Sequence, residues 1–166
     1  MMIGLKLTGF LLVFSLLSAE IQECGTEVNQ EDYIRDMIEY SEISDTRPLP
    51  DILWAPITFH VVRTTEGTGG LPPHRVEQGL IDLLTAYSDA DILPYQLGDI
   101  DYIDDTDYLS VESYDEMDEL KQINVVPTSI NIYCVNYLSN GENELCGISS
   151  FSWGGVQGIV MSNSCF

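Results

Sequence analysis

The apolar positions fall into runs of two periods. Ile57-Thr58-Phe59-His60-Val61-Val62-Arg63 is rich in β-branched residues and alternates, which predicts a strand. After the Glu66-Gly67-Thr68-Gly69-Gly70 turn, Pro72 and Pro73 open a segment with Val76, Leu80, Leu83, Leu84 and Tyr87 at 3.6-residue spacing, which predicts a helix. Tyr95 to Ile103 reads as a strand with acidic flanks, and Tyr114 to Ile123 as a second helix with Met117 and Leu120 on one face. Ser129 to Val135 reads as a strand, Asn140-Gly141 as a turn, Cys146 to Trp153 as a strand and Gly158 to Ser162 as a short last one. The order βαβαβββ predicts an α/β fold with a mixed sheet.

Upstream, the pattern predicts a short helical preface and a proline-rich joint. Asn29 and Asp32 suit a helix start, and acidic Glu31 and Asp32 suit the positive end of its dipole. Ile34 and the Met37/Ile38 pair form its apolar stripe, and Pro48, Pro50 and Pro56 break regular structure after it. The first residues read as a secretory leader. Lys6 precedes the apolar stretch Leu7 to Leu17, too short to span a bilayer, and Ser18-Ala19 suits cleavage. The expected division is 1–19 signal peptide, 20–53 pro-segment-like helix and linker, and 54–166 α/β body, with the mature protein secreted.

Composition narrows the possible partners. The chain of 166 residues has 27 acidic side chains against 6 basic ones, which argues against nucleic acid and anionic membranes as partners. Hydrophobic residues make up 45%, too many for a disordered acidic tail. Four cysteines, Cys24, Cys134, Cys146 and Cys165, follow the cleavage site and are disulfide candidates in an exported protein. Three pairings are possible, and spacing does not choose among them.

Catalytic signatures are poor. Of the two histidines, neither starts H-E-x-x-H, and His74-Arg75-Val76-Glu77-Gln78 has Gln where an inverted zinc motif needs its second His. A zinc site needs about three or four converging ligands, and spacing offers none. The expectation is therefore a partly buried His60 and a solvated His74. Gly147-Ile148-Ser149-Ser150-Phe151 lacks the last glycine of a nucleophile elbow. The acidic run from Asp99 to Asp107, read as a calcium loop from Asp101, has Ile103 at a ligand position and Thr106 where the turn glycine belongs. Calcium is unsupported, and a solvated strand end is expected.

In its order of motifs, the body resembles the pappalysin (cytophagalysin-like, pregnancy-associated plasma protein-A type) family of metzincin zinc metallopeptidases. The residues are Ile57 to Arg63, the Gly67-Thr68-Gly69-Gly70 turn, Ile123-Asn124-Val125-Val126-Pro127, Ile130 to Tyr133, Cys146 to Trp153 and Gly158 to Met161. The resemblance implies the upper, N-terminal subdomain of the catalytic domain, a twisted sheet backed by two helices. It further implies a zinc-binding H-E-x-x-H-x-x-G-x-x-H helix soon after the last strand, with a glutamate general base. This chain shows neither before Phe166, so zinc is expected only in a full-length form and no catalytic residue is assigned. Cys24-Gly25-Thr26 resembles the zymogen switch in which a thiolate caps the zinc, although Glu23 stands where arginine is usual. A structural disulfide is the alternative for Cys24. Gly147, Ile148, Ser149, Ser150 and Phe151 resemble the cleft-lining edge strand, which would grip a peptide or protein substrate as an added strand. Without the catalytic helix, Ile130, Ile132, Ile159 and Met161 would leave apolar surface open. The competing expectation is a non-catalytic binding module using the same edge. Oligomeric state is not legible.

Overall fold

The computed structural model describes residues 23–24, 31, 34–35, 38, 51–150 and 155–166. The sheet is built from β1 (Glu23–Cys24), β2 (Leu53–Arg63), β3 (Ile92–Gln96), β4 (Asp101–Asp104), β6 (Ile130–Val135), β8 (Leu145–Ser149) and β9 (Ile159–Ser162). A two-stranded sheet pairs β5 (Ser110–Val111) with β7 (Tyr137–Leu138), and two α-helices described over their full length are α1 (Pro73–Tyr87) and α2 (Tyr114–Leu120). The large sheet runs β1-β8-β9-β6-β2-β3, with β4 following β3 along the same side of β2. Among the described residues, every pairing in it is parallel except β8 with β9. The fold is thus mixed α/β, as the order of elements predicts.

Strand β2 is the spine because it is apolar on both faces. Ile57, Phe59 and Val61 turn to one side, where Val76 of α1, Leu71, Ile132 and Cys134 complete a core. Val62 turns to the other, with Val111, Met117, Leu120, Tyr133, Val135, Leu138 and Val160. A strand buried on both faces needs parallel neighbours with helices outside them, which is what α1 and α2 supply.

Several boundaries differ from the pattern. Strand β2 begins at Leu53 and runs through Pro56, which was expected to break structure; Pro56 instead pairs with Tyr95 in an extended register. The span Tyr95 to Ile103 is two strands, split at Gly98, whose φ of +76° turns the chain. Helix α2 stops at Leu120, with Asn124 left-handed at φ 53° just beyond. Its start is capped by Ser113, whose side chain accepts from the Glu116 amide at 3.2 Å, with acidic Asp115 and Glu116 in the first turn. Tyr87, assigned to the apolar face of α1, is exposed. Glu31, Ile34, Arg35 and Ile38 are helical, but Ile34 and Ile38 are more than half exposed and do not form a buried stripe. The expected leader 1–19, most of the joint and Phe151 lie outside the described residues.

Candidate functional site

Strand β8 is where the sheet reverses direction. On its inner side it is antiparallel to β9, with Gly147 opposite Met161, Ile148 opposite Val160 and Ser149 opposite Ile159. On its outer side it is parallel to β1, with Glu23 opposite Leu145 and Cys24 opposite Gly147. The register slips there, leaving Cys146 as the extra residue on β8. Beyond Gly147, Ile148 to Ser150 border two clefts. One, of about 280 Å³, lies between Ile148–Ser150 and the α2 residues Tyr114, Met117 and Asp118, with Lys121. The other, of about 300 Å³, lies between Ser149–Ser150 and the start of β6 at Ser129 to Asn131.

Polar contacts fix the walls of these clefts. Lys121 is 6% exposed, yet its ammonium reaches Ser150 Oγ at 2.8 Å and Asp118 Oδ1 at 2.7 Å. Ser150 Oγ in turn donates to the Val156 carbonyl at 2.7 Å. Lys121 Nζ donates to Ser150 Oγ, so this contact positions the strand end. Gly158, at φ +145°, lets the chain pass the Lys121 stem, where a Cβ would stand 3.0 Å from Cγ.

A disulfide joins Cys146 to Cys165, with Cα atoms 5.4 Å apart, and so ties β8 to the segment after β9. Cys134, also a disulfide candidate, is a free buried thiol instead. It sits inside the α1-side core on β6, and burial pushes its pKa up to about 12. The pairing of Cys146 with Cys165 fits an oxidising compartment. Among the described residues, no helix is long and apolar enough to cross a membrane.

His60 is wholly buried, not partly, and is spoken for at both nitrogens: Nδ1 meets Asp101 Oδ2 at 2.8 Å and Nε2 meets Asn131 Oδ1 at 2.9 Å. His74 is exposed on α1. Among the described residues, no three His, Cys, Asp or Glu side chains gather to hold a metal. None of the described residues is therefore assigned to zinc, and no hydrolytic step is derived. In the acidic run, Asp101 is engaged by His60 and Asn124, and Asp104 takes Arg63 at 2.7 Å.

The apolar alternation has an uneven outcome. Ile132 is buried and Ile130 is 45% exposed, while Ile159 and Met161 are half-buried along an apolar groove of about 370 Å³. Phe166 lies in that groove, edge-on to Phe59 at 6.0 Å, with its carbonyl accepting from Arg75. The His60 network and the Lys121–Ser150 contact had no local motif to announce them; a lone histidine in an apolar strand was the one available signal. No protein-family model matches the chain, and no curated protein matches it.

Proposed function

We propose that this chain is the pro-segment and upper subdomain of a secreted zinc metalloendopeptidase, and that β8 is its peptide-gripping edge. The observation that carries the reading is β1. A segment from the pro-segment-like region lies along the outer edge of β8, with the Cys24 backbone opposite Gly147. That edge accepts extended chain through main-chain hydrogen bonds, which is how an added-strand substrate is held. Clefts of about 280 and 300 Å³ border Ile148 to Ser150 at the end of the same strand. The half-open groove along Ile159 and Met161 agrees with a sheet that takes further covering structure. The zinc ligands and the general base of the resembled family are not in this chain, so peptide-bond hydrolysis belongs to a longer form.

A second reading rests on the same edge: a non-catalytic module that captures peptides as added strands. The test reads the coding sequence beyond Phe166 from the native transcript, with the intact mass of the secreted protein. An in-frame H-E-x-x-H-x-x-G-x-x-H and a heavier product support the protease. A stop codon with a matching light product removes catalysis, and saturable peptide binding without cleavage then selects the module.

A further inference from the structure

His60 stands between two acceptors. Asn131 cannot turn its amide to offer an N–H. Its Oδ1 accepts from the Val126 amide at 2.9 Å, and its Nδ2 donates to the carbonyls of Val126 and Ser129, both at 3.0 Å. A flip would set donor against donor at one contact and acceptor against acceptor at two others. Oδ1 therefore faces His60, and Nε2 must carry a proton to bond it. On the other side, the Asp101 carboxylate accepts from Asn124 at 2.9 and 3.2 Å and needs a proton from Nδ1. With both contacts made, the ring holds two protons and a positive charge. Tyr133 stacks on it at 4.3 Å and 12°, which places a π-face against that charge.

We propose that His60 is a proton-operated latch that ties β4 to Asn131 across β2 and lets go of Asn131 as pH rises. The titratable groups set against the ring are Asp101 from β4 and Tyr133 from β6. Tyr133 is pushed up to about 12 by burial and by Asp101, so its phenol stays neutral while the ring titrates. When the ring gives up one proton, it keeps the other for the stronger acceptor. A hydrogen bond to a carboxylate is about twice as strong as one to a neutral amide. Nδ1–H stays on Asp101, and the bare Nε2 lone pair meets Asn131 Oδ1. The departing proton is the one on Nε2, and its loss accompanies opening of the contact to Asn131. Asn131 anchors the turn from Val126 to Ser129, and Ser129 and Asn131 line the cleft beside Ser149 and Ser150. The cleft wall is thereby tied to pH. This inference goes beyond peptide capture and holds whether or not the edge binds one.

The test uses the unaltered chain with nitrogen-labelled histidine. Imidazole nitrogen NMR from pH 5 to 9 reads the His60 protonation state. Hydrogen exchange at the Val126 amide, corrected for its intrinsic pH dependence, reads the turn. The expected result is a doubly protonated ring at low pH that becomes the Nδ1–H tautomer, with Val126 protection falling about tenfold in step. In Asp101→Asn, the same transition moves to lower pH because the carboxylate no longer holds the charge. A ring in one unchanged state across the range overturns the latch. So does a titration that leaves Val126 protection unmoved, or an Asp101→Asn variant whose transition does not shift.

Discussion

Removing the Cys146–Cys165 bridge tests how the edge of the sheet is held. Strand β8 is bound to β9 through three facing pairs and to β1 through two. Ile148 is only partly buried against the α2-side core. The bridge spans a sequence separation of 19. For a loop of that size, chain entropy alone gives about 3 kcal/mol at room temperature. That is a large share of the roughly 5–15 kcal/mol that holds a domain together. In a chain of this length it corresponds to a fall in Tm of about 6–12 °C. The double variant Cys146→Ala/Cys165→Ala avoids stray thiols, and denaturant midpoints with unchanged slope report its stability. Amide exchange then locates the loss: β8 should lose protection before β2 does. A change under about 1 kcal/mol, with β8 exchange unaltered, would show that packing of Leu145 and Ile148 holds the edge and that the bridge is incidental.

Three further outcomes follow from the geometry. Gly70→Ala places a Cβ 2.7 Å from the Val62 carbonyl oxygen at a φ of +77°, so a urea midpoint should register a loss of about 2 kcal/mol or more; a neutral effect would refute the tight turn. Leu120→Ala empties a fully buried site under α2 and should cost about 2–5 kcal/mol by the same assay, whereas less than 1 would mean the helix is loosely docked. Tyr133 and Cys134 are both pushed up to about 12 by burial, from ordinary values of 10.0 and 9.0. The folded chain keeps these protons while the unfolded chain releases them, so stability is full below about pH 9 and declines between 9 and 12. By pH 10.5 the decline from this pair is about 3 kcal/mol; a flat urea midpoint from pH 8 to 10.5 would contradict their burial.

Much of the fold was legible because parallel α/β architecture writes itself in long periods. The run Ile57 to Arg63 and the helix opened by Pro73 both stand where the alternation and the 3.6 spacing put them. Breaks that depend on one residue's backbone were less legible. Gly98 splits one expected strand into β3 and β4, because a single left-handed residue leaves no mark on hydrophobic periodicity. Pro56 misled in the opposite direction: a proline tolerates extended backbone, and here the strand continues through it. The site was less legible still. Nothing near His60 in sequence points to Asp101 or Asn131, which lie 41 and 71 residues away and meet it only through strand register. The same holds for Lys121 and Ser150, 29 residues apart.

Two separate expectations from the sequence, a switch segment at Cys24 and a binding edge at Gly147 to Phe151, meet where Cys24 of β1 faces Gly147 of β8. Under the proposed reading, this sets the energy that any incoming peptide must supply. A pairing two residues long offers only a few main-chain hydrogen bonds, each worth a net 0.5–1.5 kcal/mol or so. A peptide must match those bonds to displace β1, so affinity for the edge should rise when β1 is removed. Binding measured for peptides of increasing length, against the chain with residues 20–53 intact and removed, tests this. If removal leaves the affinity of short peptides unchanged, β1 does not compete with them, and the peptides bind elsewhere than on the outer edge of β8.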